Sequence, residues 1–186
     1  MQPDEEDVVH TLVTGGARSG KSRFALDLAL RELCGDASSP RALFIATASV
    51  RDDEMRQRVE AHKRERGRQW HTIEEEIELG SCLSKNIEDF DVAVIDCLGM
   101  WVTNILLTES KILETEAKNL EQALNQSSKP VILVSNEVGL GIVPENRLAR
   151  QFRDMLGNIN QKFARLCSRV ILMVAGIPLV VKGPVP

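Results

Sequence analysis

Gly15-Gly16-Ala17-Arg18-Ser19-Gly20-Lys21-Ser22 fits the spacing G-x-x-x-x-G-K-S, a loop that cradles phosphate. Each part has a chemical task. The glycines let consecutive backbone N–H groups curl towards an anion. Lys21 can place its ammonium on the β- and γ-phosphates, and the Ser22 hydroxyl can meet Mg²⁺. A helix starting at this point adds the positive end of its dipole. Asp96 is the second element. It ends Asp91-Val92-Ala93-Val94-Ile95-Asp96, an apolar strand that delivers a carboxylate towards Mg²⁺. A dinucleotide fingerprint fits less well, because its middle glycine falls on Ala17.

Further polar residues fall at strand ends. Thr47, Ala48 and Ser49 follow one apolar run, and Asn136 and Glu137 follow another. The segment 136–146 has two glycines and a proline among apolar residues, the make-up of a shaped loop with a site role. His62 lies in a charged stretch, 51–68, with seven basic and five acidic side chains. In the ordinary case such a histidine is a solvated surface residue. The functional alternative is a neutral imidazole, kept so by Arg58, Lys63 and Arg66, that attacks phosphorus and forms a covalent intermediate. His10 and His71 have weaker claims. Cys34, Cys82, Cys97 and Cys167 have neither zinc nor redox spacing and read as free thiols.

These residues need a frame. The β-branched run over 8–13 predicts the strand before the phosphate loop, and the spacing from Arg23 predicts the helix after it. Buried strands are expected over 41–46, 91–96, 130–135 and 169–176, with a short one over 179–181. Helices are expected over 52–66, 77–86, 97–107, 111–126 and 147–168. The last carries a core stripe of Leu148, Phe152, Leu156, Ile159, Phe163 and Leu166. Apolar strands alternating with helices predict an α/β fold, a mainly parallel sheet with helices on both faces. The phosphate loop, Thr47, Asp96 and Asn136 then converge on the carboxyl edge of that sheet.

Length and charge set bounds. The 186 residues and net charge of −4 suit a single nucleotide-binding domain over 1–186, with the acidic segment 1–7 expected to be flexible and without an assigned role. Neither nucleic-acid wrapping nor a membrane span is expected. No signal-peptide pattern precedes Val8, which points to the cytoplasm. A GTPase switch is disfavoured, since Asn136-Glu137-Val138-Gly139 stands where a guanine-reading Asn-Lys-x-Asp would fall. The residues alone reach a Mg²⁺-nucleotide enzyme that moves a phosphoryl or nucleotidyl group. A simple small-molecule kinase and a nucleotide-binding regulatory protein stay open.

Several motifs together resemble one family. They are the phosphate loop, Ile45-Ala46-Thr47-Ala48, Asp52-Asp53-Glu54-Met55, Arg58-Val59 with His62, Asp96-Cys97-Leu98 with Trp101-Val102-Thr103-Asn104, and Asn136-Glu137-Val138-Gly139 continuing through Gly141-Ile142-Val143-Pro144-Glu145-Asn146-Arg147. The chain resembles the bifunctional adenosylcobinamide kinase/adenosylcobinamide-phosphate guanylyltransferases of cobalamin biosynthesis. The resemblance implies a RecA-like P-loop fold, often a homotrimer. It implies phosphorylation of adenosylcobinamide with ATP or GTP, then transfer of GMP from GTP through a histidine to adenosylcobinamide phosphate. By position His62 is the guanylylated histidine, with Lys21 as the other catalytic residue. Ala46, Thr47, Ala48, Lys63, Arg64, Glu65, Arg66, Glu74 and Asp96 would contact the guanine nucleotide beside the phosphate loop. Lys63 stands where relatives often carry arginine, which keeps the charge but loses a bidentate fork. Trp101 and the Asn136 loop are the candidates for holding the corrinoid.

Overall fold

The computed structural model describes residues 8–31, 33, 41–48 and 67–186. The strands are β1 (Thr11–Gly15), β2 (Ala42–Ala46), β3 (Trp70–Glu74), β4 (Val92–Asp96), β5 (Val131–Val134), β6 (Arg169–Val174) and β7 (Ile177–Lys182). The helices are α1 (Lys21–Arg31), α2 (Leu79–Asn86), α3 (Leu98–Thr108), α4 (Leu113–Gln126) and α5 (Arg147–Leu166). The seven strands form one sheet in the order β3-β2-β4-β5-β1-β6-β7. All neighbours are parallel except β6 and β7, an antiparallel hairpin at one edge. The phosphate-loop strand β1 and the Asp96 strand β4 are separated by β5, the RecA-type arrangement.

The central strands are continuous apolar runs because both faces are covered. Alternation sorts their side chains. Leu12, Leu43, Ile45, Ala93, Ile95 and Leu133 join one core with α2, α3, α4 and α5. Val13, Ala42, Phe44, Val92, Val94 and Ile132 join the other with Ala25, Leu28 and Ala29 of α1. Each fully buried Leu or Ile contributes about 1.5–3 kcal/mol over leaving it in water. Gly80 lets α2 close on α4, since a Cβ there would lie 2.5 Å from the Asn119 backbone.

The elements differ from the expectation in places. β1 begins at Thr11 rather than Val8. The stripe on α5 stops short: Leu156, Ile159 and Phe163 are buried, whereas Leu148 is exposed in the first turn, beyond the core. β7 is longer than expected, because the turn at Ala175 and Gly176 folds it back along β6. His71 stacks on Phe90 with centroids 5.5 Å apart, and His10 is a buried structural residue. The expected helix over 52–66 and segment 1–7 lie outside the described residues. No helix among the described residues is long and apolar enough to cross a membrane.

Candidate active site

The phosphate loop joins the carboxyl end of β1 to the N-terminus of α1. Gly15 has φ 151°, and a Cβ there would lie 2.5 Å from the Met173 carbonyl of β6, so no other residue fits. Gly20 has φ 90°, and even Arg18 takes a positive φ of 54°. Gly16, Ala17 and Arg18 form an exposed crest, while Ser19 and Lys21 turn inwards. Ser22 is the second residue of α1, whose first-turn N–H groups and dipole point at the loop. The β6–β7 turn braces the loop from behind, with the Gly176 N–H donating to the Ser19 carbonyl over 3.1 Å.

Lys21 is 8% exposed and donates to the Gly16 carbonyl over 2.6 Å. Burial holds its pKa below the ordinary lysine value, against the opposing pull of Cys97 and Asp96. A buried ammonium with donors left over is a strong attractor for phosphate oxygens. The Thr14 and Ser19 hydroxyls are buried without a hydrogen-bond partner, and a bound phosphate would supply one to Ser19. Ser22 and Asp96 offer hydroxyl and carboxylate oxygens, the donors that a hard cation such as Mg²⁺ takes beside phosphate.

A clamp holds Asp96. The peptide between Asp96 and Cys97 is cis. Thr47 spans the next residue: its hydroxyl donates to the Cys97 carbonyl over 2.8 Å and accepts from the Cys97 N–H over 2.7 Å. The Thr47 N–H donates to the Asp96 carbonyl, and the Glu75 N–H to the Ala46 carbonyl. Asn104 of α3, itself buried, donates to the Thr47 carbonyl over 2.8 Å and to the Glu76 carbonyl over 3.2 Å. Thr47 therefore faces inwards with its polar groups engaged, as a brace for Asp96. Ala46 is likewise buried. Ala48 is half-buried just beyond, and Glu74 is exposed at the carboxyl end of β3, where it registers with Ala46.

Asn136 and Glu137 arrive from β5. The Glu137 N–H donates to the Gly15 carbonyl over 2.9 Å. Asn160 of α5 ties the same tip down by donating to the Asn136 carbonyl over 3.0 Å, while the Ser135 hydroxyl donates to the Asn160 side-chain Oδ1. The structure thus brings the phosphate loop, Lys21, Thr47, Asp96 and Asn136 to one edge.

Trp101 does not belong to that edge. It is 0% exposed, packed in the core of α3, with its indole N–H donating to the Ile77 carbonyl over 2.8 Å. That overturns it as a corrinoid contact. Burial pushes the thiols up, Cys82 to about 11 and Cys97 and Cys167 to about 12, so all three stay protonated and unreactive at neutral pH. They are free, as expected; Cys34 lies outside the described residues.

The family model for cobinamide kinase / cobinamide phosphate guanyltransferase, CobU, matches residues 11–181. The chain belongs to this family. Among CobU-family relatives, it is 39% identical to the bifunctional adenosylcobalamin biosynthesis protein CobU of Escherichia coli, over 92% of this chain and 98% of the relative. It is 40% identical to CobU of Salmonella typhimurium, with the same coverage. It is also 40% identical to the bifunctional adenosylcobalamin biosynthesis protein CobP of Pseudomonas aeruginosa, over 92% of this chain and 96% of that one.

Within this CobU-family site, His62, Lys63, Arg64, Glu65 and Arg66 lie outside the described residues. Two contributors were not assigned these tasks from the sequence. Asn104 is a polar residue on an otherwise apolar helix, which hints at a buried partner without naming one. Gly176 looks like an ordinary turn glycine until the fold sets it against Ser19.

Proposed function

We propose that this chain performs both reactions of its family, at the one edge where the phosphate loop and Asp96 meet. The observation that carries the reading is the buried Lys21 ammonium beside Asp96, in a chain of the cobinamide kinase/guanyltransferase family.

In the first reaction the side-chain hydroxyl of adenosylcobinamide attacks the γ-phosphorus of ATP or GTP. The hydroxyl proton is lost and a nucleoside diphosphate leaves. Lys21 and the loop N–H groups offset the charge that builds on the transferring group. In the second, the neutral His62 imidazole attacks the α-phosphorus of GTP and pyrophosphate leaves. A phosphate oxygen of adenosylcobinamide phosphate then attacks the same phosphorus. The histidine departs and adenosylcobinamide-GDP forms, with retention at phosphorus from two displacements. Arg58, Lys63 and Arg66 keep His62 neutral, and Lys63, Arg64, Glu65, Arg66 and Glu74 contact the guanine nucleotide. Ser22 and Asp96 would hold Mg²⁺, which would supply charge neutralisation at the phosphates.

The chain works in the cytoplasm as a homotrimer. Exposed apolar side chains support assembly: Val174, Ile177, Leu179 and Val181 on the β6–β7 ribbon, and Leu140, Ile142, Val143 and Leu148 around the 136–148 loop, with Ile142 96% exposed.

The test is turnover of adenosylcobinamide with Mg²⁺ and either ATP or GTP, followed by mass spectrometry of the corrinoid. ATP should give the phosphate and GTP should carry it on to the GDP derivative. A corrinoid recovered unchanged from both, with a folded nucleotide-binding protein, refutes the reading.

A further inference from the structure

A cavity of about 580 Å³ opens between the segment after β5 and the middle of α5, walled by Glu137, Gly139, Arg153, Asp154, Asn158 and Gln161. It adjoins the phosphate loop, because Glu137 is hydrogen-bonded to Gly15. Arg153 Nη1 is buried there with no hydrogen-bond partner. The guanidinium makes no hydrogen bond among the described residues, which is costly for a charged group with a buried nitrogen, so its remaining nitrogens call for a ligand oxygen.

The remaining walls narrow the ligand. Glu137 and Asp154 line the same cavity as Arg153, so its walls carry two carboxylates to one guanidinium, which disfavours an anion. One Glu137 oxygen, Oε1, accepts from the Gly139 N–H, and Oε2 is left to accept from a ligand. Asn158 and Gln161 can each donate and accept. A primary carboxamide matches this set: its carbonyl accepts from a guanidinium and its NH₂ donates to a carboxylate. Cobinamide is rimmed by such amides, and the volume suits a few side chains rather than the whole ring.

We propose that this cavity receives carboxamide side chains at the rim of the corrinoid, with Arg153 donating to an amide carbonyl and Glu137 accepting from an amide N–H. The inference rests on the cobinamide reading above, and supplies the corrinoid contact that Trp101 does not.

The probe is dicyanocobinamide, its binding read by equilibrium dialysis and absorbance on the full chain, with GTP affinity measured in parallel. Arg153→Met should weaken dicyanocobinamide about tenfold to a hundredfold and leave GTP affinity unchanged. Equal dicyanocobinamide affinity in R153M and wild type overturns the inference alone. A parallel loss of dicyanocobinamide and GTP binding also overturns it, since that marks a general structural role. A wild-type chain that fails to bind dicyanocobinamide removes the substrate reading and this inference with it. Should R153M not fold, Asn158→Ala combined with Gln161→Ala provides the test: a severalfold loss supports the assignment, and unchanged affinity overturns it.

Discussion

Replacing Thr47 with valine isolates the clamp beneath the site. The change keeps the shape and deletes one hydroxyl. In the native fold that hydroxyl holds both the carbonyl and the N–H of Cys97, over 2.8 and 2.7 Å. Thr47 is fully buried, so water cannot replace the hydroxyl. Each polar group left unmatched costs about 1–3 kcal/mol, which puts the pair at roughly 2–6 kcal/mol. A domain is held folded by only about 5–15 kcal/mol. At about 2–4 °C per kcal/mol for a chain of this size, Tm should fall by roughly 4–24 °C. Thr47→Ser keeps both hydrogen bonds and loses one methyl, worth about 1 kcal/mol. Cys97 follows Asp96 directly, so the valine variant should also lose affinity for Mg²⁺-GTP while the serine variant keeps it. Thermal melts by circular dichroism and a GTP titration measure both effects. If T47V melts within a degree or two of wild type, or T47S falls as far as T47V, the clamp is not what holds this edge.

Lys21→Ala should impair both the kinase and the guanylyl-transfer reactions, because a single phosphate site serves them; steady-state rates with ATP and with GTP check it, and unchanged GTP affinity and turnover would count against that site. His10 should make stability pH-dependent. Its Nδ1 accepts from the Val131 N–H over 3.2 Å and its Nε2 donates to the Leu124 carbonyl over 2.9 Å, an arrangement that needs the neutral ring. Burial holds its pKa below 6.5 despite the Leu124 bond. The unfolded chain therefore takes up this proton first as pH falls below 6.5. The stability is present above that value and is lost down to the folded pKa, at up to about 1.4 kcal/mol per pH unit. His10→Gln should flatten that part of the Tm-versus-pH curve, and an identical curve in the variant would show that His10 does not titrate this way.

Much of this architecture is written locally. Ala42–Ala46 and Val131–Val134 are unbroken apolar runs, and a strand buried on both faces needs nothing else. The phosphate loop is legible because its chemistry fixes spacing as well as residue type. What the residues do not state is direction and partners, which the fold sets. Thr47 ends a strand, and nothing in its neighbours says whether the hydroxyl turns towards a ligand or towards Cys97. Trp101 stands in a motif-rich stretch, yet its indole partner is a carbonyl before α2 that only the packed α2–α3 layer brings near. Leu148 keeps the helical period of α5 but lies in a turn that extends past the sheet. Arg153 belongs to no sequence motif, and only the fold sets it in one cavity wall with Glu137, delivered by β5.

The most direct measurement of the central claim is incubation with Mg²⁺ and GTP labelled at the α-phosphate, then a denaturing gel and peptide mapping, with γ-labelled GTP as control. The account predicts label from the α-position only, lost in acid, stable in base, mapped to His62, and absent from His62→Ala while that variant still phosphorylates cobinamide. Label that persists in His62→Ala, or a folded GTP-binding wild type that takes none, would contradict it.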